Sequence, residues 1–135
     1  MDQDKKPLFM IDDDPVVDWP VTVKLPADGG NFNEYQFTAS MRVLTAKEYE
    51  ELFAEAPGNI AEGELLPPLS VVLECNVPLF QRVLTGWKGV ADRNGEVLYT
   101  PEKLAEQVTG KYGAALSAGL WKAVSEIRYG ARLGN

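Results

Sequence analysis

The sequence predicts an α+β fold: an N-terminal antiparallel β-hairpin packed against a small group of four or five α-helices. Three observations carry this. Two early stretches alternate apolar and polar residues on either side of a Gly-rich loop. Two threonines, Thr45 and Thr100, each open a segment with helix-start chemistry. The final third ends in a long stretch whose apolar residues recur at helical spacing.

Residues 1–18 mix charge, two prolines and a short apolar patch, and read as a loosely ordered lead-in to a single domain over 19–135. From Trp19 the chain alternates, with Val21, Val23 and Leu25 on the face of Trp19 and Pro20, Thr22 and Lys24 opposite. Pro20 is tolerated near a strand start or on an edge. Pro26-Ala27-Asp28-Gly29-Gly30 is loop chemistry, and a second strand follows with Tyr35, Phe37, Ala39, Met41 and Val43 on one side.

Thr45-Ala46-Lys47-Glu48 fits a capping box, and Tyr49, Leu52, Phe53 and Ala56 form the apolar stripe of the helix it opens. Pro57-Gly58-Asn59 stops that helix, and residues 57–68 read as a linker between elements. Leu69 to Leu84 is expected to be helical but interrupted near Asn76, which would cap a fresh start with Pro78 in its first turn. Cys75 lies in this apolar run and reads as a small buried hydrophobe.

Thr85 to Lys103 is expected to form a rigid corner. Asn94-Gly95 signals a two-residue type I′ hairpin turn, Thr100 caps a helix with Pro101 at its first position, and Trp87 is the anchor. A short helix over 102–108 and a break at Thr109–Gly113 lead to the last helix, from about Ala114 to Tyr129. Leu116, Leu120, Ala123, Val124 and Ile127 lie on its core face, and Gly130 fits a C-terminal cap before a short tail.

Composition limits the chemistry. The 135 residues carry a formal charge of −7, which argues against nucleic-acid binding, since that is driven by Lys and Arg neutralising phosphates. There is no histidine and one cysteine, so imidazole-based triads, Cys-His dyads, intramolecular disulfides and multi-cysteine zinc sites are unavailable. No cofactor motif stands out. Residues 105–112 lack the first Gly and the final Ser or Thr of a phosphate-binding loop. The stretch from Asp92 places its Gly two positions early for an EF-hand. Gly86-Trp87-Lys88-Gly89 and Gly110-Lys111-Tyr112-Gly113 spell a GxxG, a pattern common by chance. Asp12, Asp13 and Asp14 read as a solvated charge run. The longest N-terminal apolar run, Leu8 to Ile11, is too short for a signal-peptide core, and no stretch is long enough to span a membrane.

In order and spacing, five features resemble the tail assembly chaperones of long-tailed bacteriophages. They are Trp19-Pro20-Val21-Thr22-Val23 with its Pro-Ala-Asp-Gly-Gly loop, Tyr35-Gln36-Phe37-Thr38-Ala39, and the acidic helix after Thr45. Gly86 to Gly95 with Thr100-Pro101-Glu102 follows, and then a final helix with a short basic tail closing on Asn135. The resemblance covers roughly residues 17–135, and Pro78 and the 57–68 linker depart from it. It implies a non-enzymatic protein of the host bacterial cytoplasm. Such a protein binds the tape-measure protein, keeps it soluble and recruits tail-tube subunits (the major tail protein); this chain would be the short, non-frameshifted product. The alternative is a structural virion component, a head–tail connector or tail terminator, with a carboxylate-dependent enzyme a distant third.

Two partner surfaces are expected. Trp121 lies about 120° from Ile127 around the helix, among Ser117, Ser125 and Arg128, and is the candidate client contact. Its competing reading is packing on the N-terminal hairpin of its own chain or of a second copy. The hairpin face carrying Val21, Val23, Tyr35, Phe37 and Met41 is larger than one layer of short helices readily covers, so self-association into a homo-oligomer is expected there.

Overall fold

A computed structural model of the chain describes residues 6–57 and 65–130. Strands β1 (Val16–Pro26) and β2 (Phe32–Arg42) form the expected antiparallel hairpin, with Trp19 opposite Ala39, Val21 opposite Phe37 and Val23 opposite Tyr35. The apolar face read from the sequence is the inner one: Val21, Ala39 and Met41 are wholly buried. Four α-helices among the described residues complete the fold: α1 (Ala46–Ala54), α2 (Leu69–Val83), α3 (Pro101–Val108) and α4 (Gly113–Tyr129). The fold is α+β, as the sequence predicts.

Both threonine-led starts form as expected. At Thr45 the capping box closes in both directions: the Glu48 N–H donates to Thr45 Oγ1 at 3.1 Å, and the Thr45 N–H to Glu48 Oε1 at 3.0 Å. These bonds, the backbone one first, hold the Glu48 carboxyl below its ordinary pKa. Thr100 Oγ1 accepts from the Lys103 N–H at 3.0 Å, with Pro101 at the first helical position.

The sheet has a third strand that the alternation did not reveal. β3 (Leu84–Lys88) pairs antiparallel with β2, placing Trp87 opposite Ala39, with an irregularity between Ser40 and Met41. Leu84-Thr-Gly-Trp-Lys is too short, with a glycine at its centre, to show a period of two, so the pairing is imposed by the sheet.

The expected break near Asn76 is absent. α2 runs unbroken through Pro78, whose missing N–H and ring clash cost about 3 kcal/mol in a helix interior. Leu79, Phe80 and Val83, all buried on the same helix, offset this at about 1.5–3 kcal/mol each. Asn76 is a buried side chain inside the helix rather than a cap, and Cys75 is exposed rather than buried.

The turn expected at Asn94-Gly95 sits one residue earlier. Strands β4 (Ala91–Asp92) and β5 (Gly95–Glu96) pair Asp92 with Gly95, so Arg93 and Asn94 are the central residues. A type I′ turn needs positive φ at both, and no described non-glycine residue has it. Instead the Asp92 carboxylate accepts the Asn94 N–H at 2.8 Å, and Gly95 takes the positive φ, +120°. Gly130 ends α4 with helical φ and ψ, so it is not the left-handed cap expected. The linker and the basic tail fall largely on residues 58–64 and 131–135, outside the described residues.

α4 organises the packing. It crosses β1 on one side, where Trp19 Nε1 donates to Glu126 Oε1 at 3.0 Å, and meets α2 and α3 on the other. Leu116, Leu120, Ala123 and Val124 are buried as the stripe predicts, while Ile127 is half-buried.

Candidate functional site

An apolar groove opens where the hairpin, β3, the β4–β5 finger and the first turns of α4 meet. Val23, Tyr35 and Phe37 form its floor from the sheet, Trp87, Val90 and Val97 one wall, and Tyr112 and Leu116 the other; its volume is about 590 Å³. The wall stands because Trp87 is tied at three points. Its indole Nε1 donates to the Val97 carbonyl at 2.8 Å, and its ring meets Phe37 (centroids 6.2 Å) and Tyr99 (5.0 Å) edge-on. The Val97 N–H donates back to the Val90 carbonyl at 2.8 Å, closing the β4–β5 finger.

Trp87 is therefore the corner's anchor, half-buried because its remaining surface lines the groove. Asn94, Gly95, Thr100 and Pro101 build the same corner. The Tyr99 hydroxyl donates to the Leu84 carbonyl at 3.3 Å, and burial pushes its pKa above the ordinary tyrosine value.

Charge on the groove rim comes from Arg93, Lys103 and Asp92. Lys103 Nζ lies 3.2 Å from Glu106, with both side chains at least half exposed. The Asp92 carboxylate is turned onto the Asn94 N–H.

Trp121 is not a free contact. Its ring packs on Phe53 (centroids 5.2 Å) and Phe80 (4.9 Å), and its Nε1 donates to Asn76 Oδ1 at 3.3 Å. It packs on α1 and α2 of its own chain rather than on the hairpin. The companion residues do not form a surface patch either. Ser117 is buried, Ser125 is half-buried, and the Arg128 guanidinium lies over the Phe53 ring at 4.9 Å. The reason is that α4 is packed on two sides, so a residue off its sheet-facing stripe meets another helix instead of water.

The hairpin residues divide in two. Val21, Val23 and Met41 are covered within their own chain, whereas Tyr35 is 53% exposed and Phe37 half-buried, both at the groove. What the residue-level reading missed is the rim, Arg93 and Lys103, and the wall, Val90 and Val97. Each belongs to a different short element, and no spacing in the sequence joins them.

Among the described residues, no three His, Cys, Asp or Glu side chains are placed to hold a metal ion. No helix there is long and apolar enough to cross a membrane. Comparison of the chain with protein-family models, with curated proteins and with solved structures finds no match.

Proposed function

We propose that the chain is a tail assembly chaperone of the kind its sequence resembles. It binds the tape-measure protein in the host cytoplasm, keeps it soluble and recruits tail-tube subunits. The observation that supports this is the groove. It is open, walled by aromatic and aliphatic side chains and carries charges of both signs at its rim, which suits the apolar face of an amphipathic helix presented by a partner. Tyr35 and Tyr112, exposed at opposite sides, are the contacts a client would cover, in place of Trp121.

The test is co-purification with a tape-measure fragment. A Tyr35→Asp, Tyr112→Asp double variant should melt within about 0.5 kcal/mol of the parent, as exposed substitutions do, and lose the fragment. A folded double variant that still holds the fragment overturns this placement of the client. Recovery of the chain in purified virions would instead favour the structural virion component.

A further inference from the structure

A second apolar feature lies at the opposite end of β1. Leu8, Phe9, Met10 and Ile11 are consecutive, outside any helix or strand, and 84%, 90%, 76% and 85% exposed. Four adjacent large apolar side chains in water form an interaction element rather than scattered surface residues. Asp12 and Asp13 follow them, and the chain is fastened just after that. The Asp14 carboxylate meets Arg42 Nε at 3.4 Å, and the Pro15 carbonyl accepts the Val43 N–H at 2.9 Å. The apolar arm therefore leaves from a fixed point.

We propose that this arm docks in the groove of a second copy of the chain, Leu8–Ile11 filling the apolar floor and Asp12 and Asp13 facing Arg93 and Lys103. The complementarity is of both kinds: apolar residues against an apolar floor, then two acids facing the rim's two cations, Arg93 and the Glu106-paired Lys103.

Reach excludes the arm's own groove. Phe37, where the floor begins, stands opposite Val21, five residues along β1 from Val16 and about 17 Å away, and Asp14 lies further back still. From Asp14, Ile11 extends at most about 11 Å and Leu8 about 22 Å, even if the arm doubles back fully extended. Only another molecule can lay the whole segment, Leu8 to Ile11, along that floor. Because arm and groove are different surfaces at opposite ends of one strand, the pairing is reciprocal, each arm entering the other copy's groove in an isologous contact. Two copies side by side and antiparallel close it by exchanging arms.

The contact stands independently of the chaperone reading. What rests on that reading is its consequence: arm and client compete for one groove, so client binding would release the second copy. Self-association is measured without client, so the two ideas fail separately.

The experiment is sedimentation equilibrium of the full chain across the micromolar range. The parent should associate. An arm variant (Phe9→Ser, Ile11→Ser) and a rim variant (Arg93→Glu, Lys103→Glu) should each weaken association about tenfold or more while melting like the parent. Mixed together they should form a one-to-one heterodimer, since each retains the half the other lacks. Adding Asp12→Lys and Asp13→Lys to the rim variant should restore its self-association. A parent that stays monomeric, leaving the groove to a foreign partner, overturns the proposal, as does an arm variant that associates like the parent. If the rim variant does not fold, the arm variant alone decides, because the segment it alters is exposed.

Discussion

Gly119 of α4 lies directly against the backbone of Thr22 in β1. A Cβ built on it would overlap the Thr22 carbonyl oxygen and stand 3.1 Å from Val21 Cγ1. At an exposed helical position Gly→Ala gains about 1 kcal/mol in propensity. Here the obstacle is backbone that cannot move aside, so overpacking, at about 1–3 kcal/mol, wins. Gly119→Ala should lower the urea midpoint, and an unchanged or raised midpoint would show that α4 can back away from the sheet.

Trp121 joins α1, α2 and α4 through Phe53, Phe80 and Asn76. Trp121→Ala should cost about 2–4 kcal/mol, below a wholly buried tryptophan because the ring is half-buried. It also leaves the Asn76 amide without its indole partner. Denaturant melts of the single variant check this. A loss under about 0.5 kcal/mol would return Trp121 to the surface role first expected of it.

Ser117 is 5% exposed, and its hydroxyl has no hydrogen-bond partner among the described residues. Removing an unpaired buried hydroxyl removes a desolvation penalty, and alanine is the better helix former. Ser117→Ala should therefore stabilise the chain by about 0.5–1 kcal/mol, read as a raised melting midpoint. Destabilisation would mean that the hydroxyl is hydrogen-bonded in solution.

The raised pKa of Tyr99 makes stability depend on pH on the alkaline side. Burial is its main cause; Arg42 opposes it and Glu102 adds to it. The folded state keeps a proton that the unfolded state releases near the ordinary tyrosine value. Stability from this group is thus intact below about pH 10 and falls as pH rises above it. Tyr99→Phe should flatten that fall relative to the parent while costing about 1 kcal/mol at neutral pH for the bond to Leu84. Urea melts of both proteins at neutral and alkaline pH check it, and parallel pH profiles would count against the assignment.

The fold was legible wherever one element carries its own period or cap. The hairpin of β1 and β2, the Thr45 and Thr100 starts and the Leu116–Val124 stripe are all local patterns, and all stand as read. What was not legible depends on neighbours distant in the chain. β3 is a strand because β2 is there to pair with it, and α2 continues past Pro78 because its buried residues hold it. Trp121 was misplaced because a single stripe gives a helix one buried side, whereas α4 has two. The groove draws on six elements spread along the chain, so the sequence pointed to Trp87 and Tyr35 without showing that they face one space.

The cover over Val21 and Val23 comes from α4, about ninety residues after β1 ends. At a translation rate of about 5–20 residues per second, the ribosome takes about 5–20 s to make that intervening chain. The hairpin can pair within microseconds of emerging, yet it must wait out that interval with its inner face bare. During synthesis, then, the inner face of the first two strands stays uncovered until the last helix arrives.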